Sequence, residues 1–196
     1  MNNRERFISA LNLEVPDYVP TFELVYFLTM ELLGKVHPTS RNFRQWDQMS
    51  DAERSLQIQD LAKLYLAVAR HYKHSAIFIH SVAGIPDSVQ RVAAEIRRQS
   101  GDEYFLMCHG DSTLSVPDGE RMVEFSYQVA DKPDVIKDDQ RRRLDQAVEH
   151  ARGLSGEGLL DGFALCADYC FNTNPFFSPD QFGEFVTPFL TDLISG

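Results

Sequence analysis

Short apolar runs, each closing on a polar residue, alternate along this chain with stretches of helical period. That alternation restricts the fold more than any other feature. The clearest unit lies near the C-terminus. Phe163 to Ala167 is an apolar run of the kind a buried parallel strand shows, and it closes on Asp168. A loop with Asn172 and Asn174 follows, then the helix-start signal Phe177-Ser178-Pro179-Asp180-Gln181-Phe182. Ser178 is placed to cap, Pro179 occupies the first helical position and Gln181 completes a capping box. Phe177 and Phe182 have the spacing of a hydrophobic staple. Phe182, Phe185, Val186, Phe189, Leu190 and Leu193 then recur at about 3.6 residues, which predicts one helix to the vicinity of Ile194.

The rest of the chain repeats the scheme. Asn2 to Asn12 predicts a short helix with a capping box from Asn2 and Glu5. After the turn at Pro16 to Pro20, Thr21 to Val25 predicts a first strand with Glu23 near its end. Phe27 to Leu33 predicts a helix stopped by Gly34. Ser50 and Glu53 cap a long helix faced by Leu61, Leu64, Tyr65, Val68, Ala69 and Tyr72. Ala76 to Ile79 is the second strand, ending at His80. Asp87 to Gln90 opens a helix, and Tyr104 to Cys108 is the third strand, ending at His109. Helices over Gly119 to Val129 and from Asp131 to Ala151 lead into the Asp161 to Asp168 stretch. No fixed-period repeat, low-complexity tract or linker interrupts the 196 residues, which reads as a single domain over 1–196. Strands alternating with helices pair in parallel through right-handed crossovers. Four such strands fit a small open α/β sheet or half of an eight-stranded barrel of ~250 residues. The last helix runs to the end of the chain with no strand after it, which favours the half barrel and an incomplete C-terminus.

Charge excludes several functions. The net charge is -10, so no broad basic field attracts nucleic acid or an anionic membrane. Arg141-Arg142-Arg143 sits beside Asp138 and Asp139 and reads as a solvated helix face. No apolar run approaches ~18 residues, and Met1 to Arg6 lacks the apolar core of a signal peptide. Three cysteines do not make a disulfide framework, which points to a reduced cytoplasm. Cys108 and Cys166 fall inside apolar runs and read as small core residues, while Cys170 falls in a loop.

The four strand tips are Glu23, His80, His109 and Asp168. In a parallel α/β protein such tips share one face, where two histidines and two carboxylates can move protons or hold a divalent metal. A strand leaving the core must also turn polar somewhere, which explains the same residues without function. Asn172 and Asn174 can hydrogen-bond a ligand or brace their turn. No phosphate-binding glycine motif is present.

Two stretches resemble a known family. Arg4-Glu5-Arg6-Phe7 through Ala10-Leu11-Asn12, then Pro16-Asp17-Tyr18-Val19-Pro20, is similar to the opening of the uroporphyrinogen decarboxylase-like superfamily. Phe177-Ser178-Pro179 with Phe182, Phe185-Val186 and Pro188-Phe189-Leu190 resembles the segment after that family's fourth strand. The resemblance implies a (β/α)8 TIM barrel, of which this chain would cover about the first half. It also implies one of two chemistries: decarboxylation of uroporphyrinogen without a cofactor, or methyl transfer with corrinoid proteins or thiols. Where the decarboxylases carry an arginine-rich loop this chain has Glu23-Leu24-Val25-Tyr26-Phe27, and His80-Ser81 stands where they have Ser-Asp. A polycarboxylate substrate requires cations, so these departures favour the corrinoid-linked methyltransferase branch. The expected catalytic residues are then Asp168, His80 and His109, with Glu23, Tyr26, Asn172 and Asn174 around a small-molecule substrate. Zinc ligands are expected beyond residue 196, and a corrinoid on a partner protein. Self-association, or association with a missing C-terminal half, is expected as well. A truncated, non-catalytic assembly module is the remaining alternative.

Overall fold

The computed structural model describes residues 1–110, 112, 114–170 and 173–196. Three strands, β1 (Ala76–Ile79), β2 (Phe105–His109) and β3 (Gly162–Ala164), form one sheet in that order. β1 and β2 are parallel, with Ala76 opposite Phe105 and Ile79 opposite Cys108. The helices are α1 (Asn3–Leu11), α2 (Thr29–Leu33), α3 (Asp51–Tyr72), α4 (Ser88–Ser100), α5 (Glu120–Asp131), α6 (Pro133–Gly156), α7 (Pro179–Phe185) and α8 (Thr187–Ser195). The chain is therefore mixed α/β, built on a small parallel sheet. It divides into two compact units, Met1–Cys108 with Leu154–Gly162, and His109–Gly153 with Phe163–Gly196.

In the first unit, α3 starts where Ser50 and Glu53 each cap the other's backbone N–H. Its stripe of Leu61, Ala62, Tyr65, Leu66 and Ala69 packs with Ile77 and Ile79 of β1 and with Val92, Ala93 and Ile96 of α4. All four residues of β1 are buried, as expected of a strand covered on both faces. The opening motif has a structural role. Arg6 is buried and grips Asp17 through Nε at 2.5 Å and Nη2 at 3.0 Å, with its guanidinium 3.6 Å from the centre of the Tyr18 ring. Arg4 reaches across the sequence to Asp161, with Nε 2.9 Å from Oδ1. Arg97 Nη2 and the Leu106 N–H both donate to Asp161 Oδ2, at 2.6 and 2.8 Å. Burial pushes the Asp161 carboxyl up, but the hydrogen bonds from Arg4, Leu106 and Arg97 outweigh it and hold the group below the ordinary carboxylate range.

One turn of this unit requires glycine. Gly84 has φ +83°, and a Cβ there would lie 2.5 Å from the Phe43 carbonyl oxygen, which backbone cannot yield. Gly84→Ala is expected to cost about 2–3 kcal/mol, from left-handed strain plus the clash. A denaturant midpoint unchanged from wild type would contradict this.

The second unit packs Leu114, Val129, Ile136, Phe177, Phe185 and Val186 into an aromatic-rich core. The Ser178–Gln181 capping box forms as expected. Phe177 stacks on Phe185 with ring centres 6.2 Å apart. Gln140 is buried and donates from Nε2 to the Ser112 carbonyl.

Four expectations are corrected. Thr21 to Val25 is irregular rather than a strand; Ser75 N–H donates to Thr21 O, but Phe22 and Leu24 stay exposed, so no apolar face drives a ladder. The run at Phe163 to Ala167 is strand only over β3, which is half-buried, and Leu165 is exposed. Gly110 N–H pairs with Ala164 O, and β2 has already ended at His109, so the ladder stops there. Cys166 is consequently exposed, not a core residue, whereas Cys108 is buried and its thiol is pushed up to about 11 by that burial. Finally, the helix expected from Pro179 to Ile194 breaks at Val186. Pro188 has no N–H for the carbonyl one turn back, and its ring crowds that turn.

Candidate functional site

β1 leaves the core at His80, and a small cleft forms there within the first unit, against α3, α2 and the irregular stretch before α2. The cleft offers about 30 Å³ to the centre of a water-sized group and about 380 Å³ with its open mouth. Its polar wall consists of Glu23, Tyr26, Thr29, His37, Tyr65, His74 and His80, and its described lining includes neither lysine nor arginine.

His80 is nearly buried, at 8% exposure. Its backbone N–H donates to the Tyr65 hydroxyl at 3.1 Å, which ties the end of β1 to α3. Its side chain meets the Leu24 carbonyl at 2.7 Å through Nε2. A carbonyl only accepts, so Nε2 carries the hydrogen. His37 stands edge-on to it, with ring centres 5.8 Å apart. His37 Nδ1 accepts from the Thr39 N–H at 3.3 Å and lies 2.7 Å from Thr39 Oγ1, which leaves its hydrogen on Nε2. Burial, with smaller contributions from His80 and Arg41, lowers the His37 pKa below its usual value. His74 is also lowered by burial, against an opposing pull from Glu23. Tyr65 is pushed up to about 12 by burial. Tyr26 is pushed up to about 12 by its 2.7 Å hydrogen bond to the Tyr72 hydroxyl. The lowered His37 and His74 therefore present neutral imidazoles at neutral pH, beside the phenols of Tyr26 and Tyr65.

The lowered His37 has a consequence for stability. A histidine whose folded pKa is depressed contributes stability that is complete above the unfolded value of about 6.5 and is lost as pH falls through the folded value. The protein is expected to weaken as pH drops from about 6.5, and His37→Asn to flatten that slope. An NMR titration of the His37 ring with a midpoint above about 6.5 would contradict this.

Of the residues expected from sequence, Glu23, Tyr26 and His80 come together in this cleft. His109, Asp168 and Asn174 belong to the second unit. His109 ends β2 and is exposed. Asp168 is exposed and its Oδ1 accepts the Cys170 N–H at 2.9 Å, the turn-capping role that competes with a ligand role. Asn174 is exposed beside the bridge of Cys170 with Pro175. Asn172 lies outside the described residues. His37, His74 and Tyr65 were not singled out from sequence. Tyr65 sat on the apolar stripe of α3, where its hydroxyl was the only signal. Among the described residues no three of His, Cys, Asp and Glu gather as a metal would require, and no helix is long and apolar enough to cross a membrane.

No family model matches the chain, and no curated protein does. Among solved structures, the chain is similar over its whole length to a methyltransferase from Methanosarcina mazei, at a TM-score of 0.69 and 16% sequence identity, covering 67% of that chain. At that identity the likeness speaks for the fold.

Proposed function

We propose that this chain forms part of a (β/α)8-barrel methyltransferase of the uroporphyrinogen decarboxylase-like superfamily, acting in the cytoplasm in corrinoid-linked methyl transfer. The whole-length likeness to the Methanosarcina mazei methyltransferase carries the reading. The cleft agrees with it. A wall with Glu23 and no described cation suits a polycarboxylic tetrapyrrole poorly, because each buried carboxylate would lack a partner. A corrinoid on a partner protein would supply or accept the methyl group. In the cleft of the first unit, Glu23 and Tyr26 would contact the small substrate and His80 would handle protons; proton handling by His109 and Asp168, and substrate contact by Asn172 and Asn174, are separate proposals. Among the described residues no set of His, Cys, Asp and Glu gathers to hold zinc. Self-association, or association with a further barrel segment, belongs to the same proposal.

The direct test is anaerobic demethylation of methylcobalamin with a simple thiol as acceptor, followed by absorbance. Demethylation above the protein-free rate is expected; turnover of uroporphyrinogen instead would replace this reading with the decarboxylase one. Asp168→Asn separates the two roles of that residue, since the amide oxygen can still accept the Cys170 N–H while the charge is gone. Its melting temperature is expected within a few degrees of wild type and its activity about a hundredfold lower. Unchanged activity would leave Asp168 a turn cap and nothing more.

A further inference from the structure

A second recess in the first unit shares no lining residue with the cleft beside β1. It runs between α3 and α4 and offers about 630 Å³ to the centre of a water-sized group, or about 1160 Å³ with its open mouth, enough for a small organic molecule. Helical spacing builds its walls. Ser55, Ile58 and Gln59 share one face of α3, and Arg91, Ala94 and Arg98 share one face of α4, because residues three and four apart are neighbours. Ala94 is small and exposed in the middle of its wall, which keeps the groove open. Ile58 and Trp46 supply apolar surface. Most of the charge is already committed within the protein. Arg98 holds Glu95 through Nε at 2.7 Å and Nη2 at 2.6 Å. Arg54 gives Nε to Trp46 O at 3.0 Å and Nη2 to Asp47 O at 3.1 Å, with Nη1 3.7 Å from Asp51. Arg91 differs. Its Nε donates to Pro86 O at 3.0 Å, and its two Nη groups have no partner among the described residues. Among those residues the side chains of Ser55 and Gln59 make no hydrogen bond either. With Arg54 set against Asp51 and Arg98 against Glu95, Arg91 is the uncompensated charge of the described lining.

We propose that this groove binds an organic monocarboxylate with an apolar or aromatic tail. The carboxylate pairs with the Nη edge of Arg91, whose planar fork matches two oxygens. Ser55 and Gln59 offer further hydrogen bonds in the same groove, and the tail lies on Trp46 and Ile58. One uncompensated guanidinium suits one negative charge. A doubly charged phosphate would bring its second charge against Asp51 and Glu95. The net charge of -10 gives an anion no attraction at long range, so recognition depends on these contacts. The site is independent of the methyl-transfer reading.

Trp46, the chain's one tryptophan, lines the groove and reports on its occupation. The test is titration of the protein near neutral pH with 3-phenylpropionate, 3-phenylpropan-1-ol, 3-phenylpropylamine, acetate and phenyl phosphate, followed by Trp46 fluorescence and by calorimetry. 3-Phenylpropionate is expected to bind at least tenfold tighter than each of the other four. Arg91→Gln is expected to weaken it about tenfold or more, the scale of a lost charge-assisted hydrogen bond. Arg91→Lys, which keeps the charge without the fork, is expected to fall between the two. Ala94→Leu fills the groove from an exposed position with a good helix former, so it is expected to abolish binding with the melting temperature within a few degrees of wild type. No binding of 3-phenylpropionate, equal binding of the alcohol, the amine or acetate, or tighter binding of phenyl phosphate each overturns the inference. So does binding that survives Arg91→Gln or Ala94→Leu in a folded protein, since the ligand would then sit elsewhere.

Discussion

Asp161→Ala is expected to destabilise the first unit by about 3–5 kcal/mol, the largest loss of stability from any one substitution considered for this chain. The Asp161 side chain is 8% exposed, between Arg4 and Arg97 and over the Leu106 N–H. Removing it leaves two guanidiniums facing each other and an N–H of β2 without its acceptor. Asp161→Asn should recover part of the loss, because an amide oxygen still serves one donor. The effect of pH has a definite sign. The folded pKa is depressed, so the contribution is complete above the unfolded value of about 3.9 and is lost as pH falls through the folded one. Trp46, the chain's one tryptophan, is buried in this unit and reports its unfolding by fluorescence. A denaturation midpoint for Asp161→Ala within error of wild type, or one insensitive to acid in the wild type, would remove Asp161 from its central place.

His80→Gln is expected to lower the proposed methyl-transfer activity by about 10²–10⁴-fold while the protein stays folded. Glutamine can still donate to the Leu24 carbonyl from roughly the position of the imidazole Nε2, so the tie between β1 and the stretch before α2 survives. It has no group that titrates near neutrality. A pure anchoring role predicts that glutamine rescues what His80→Ala loses. A proton-handling role predicts that it does not, and that the pH dependence of the rate changes with it. Full activity in His80→Gln would assign the residue to the fold.

What could be read from sequence follows the range of the forces involved. Asn2 with Glu5, Ser50 with Glu53 and Ser178 with Gln181 all formed their capping boxes, because a cap is settled within three residues. β1 and β2 were legible because their residues are buried on both faces, so the apolar run itself is the signal. The Asp161 cluster was not legible, since its hydrogen bond to Arg4 spans 157 positions and nothing local announces it. Thr21 to Val25 has the composition of a strand, yet strands are made by neighbours, and here no continuous ladder accompanies it. Within the candidate site, His80 was legible as a strand tip. His37 was not, because its importance comes from burial beside His80, which no spacing encodes.

The first unit is discontinuous: residues 154–162 complete what residues 1–108 begin, and Asp161 is the clasp. On a ribosome this fixes an order of events. After Cys108 has been made, 53 more residues must be added before Asp161 exists (161 − 108 = 53), a wait of about 3–10 s at common rates of synthesis. Through that interval Arg4 and Arg97 have no carboxylate between them and the outer side of β2 lacks its next strand. The nascent chain is then the form most open to a chaperone, and to mispairing with a neighbouring nascent copy.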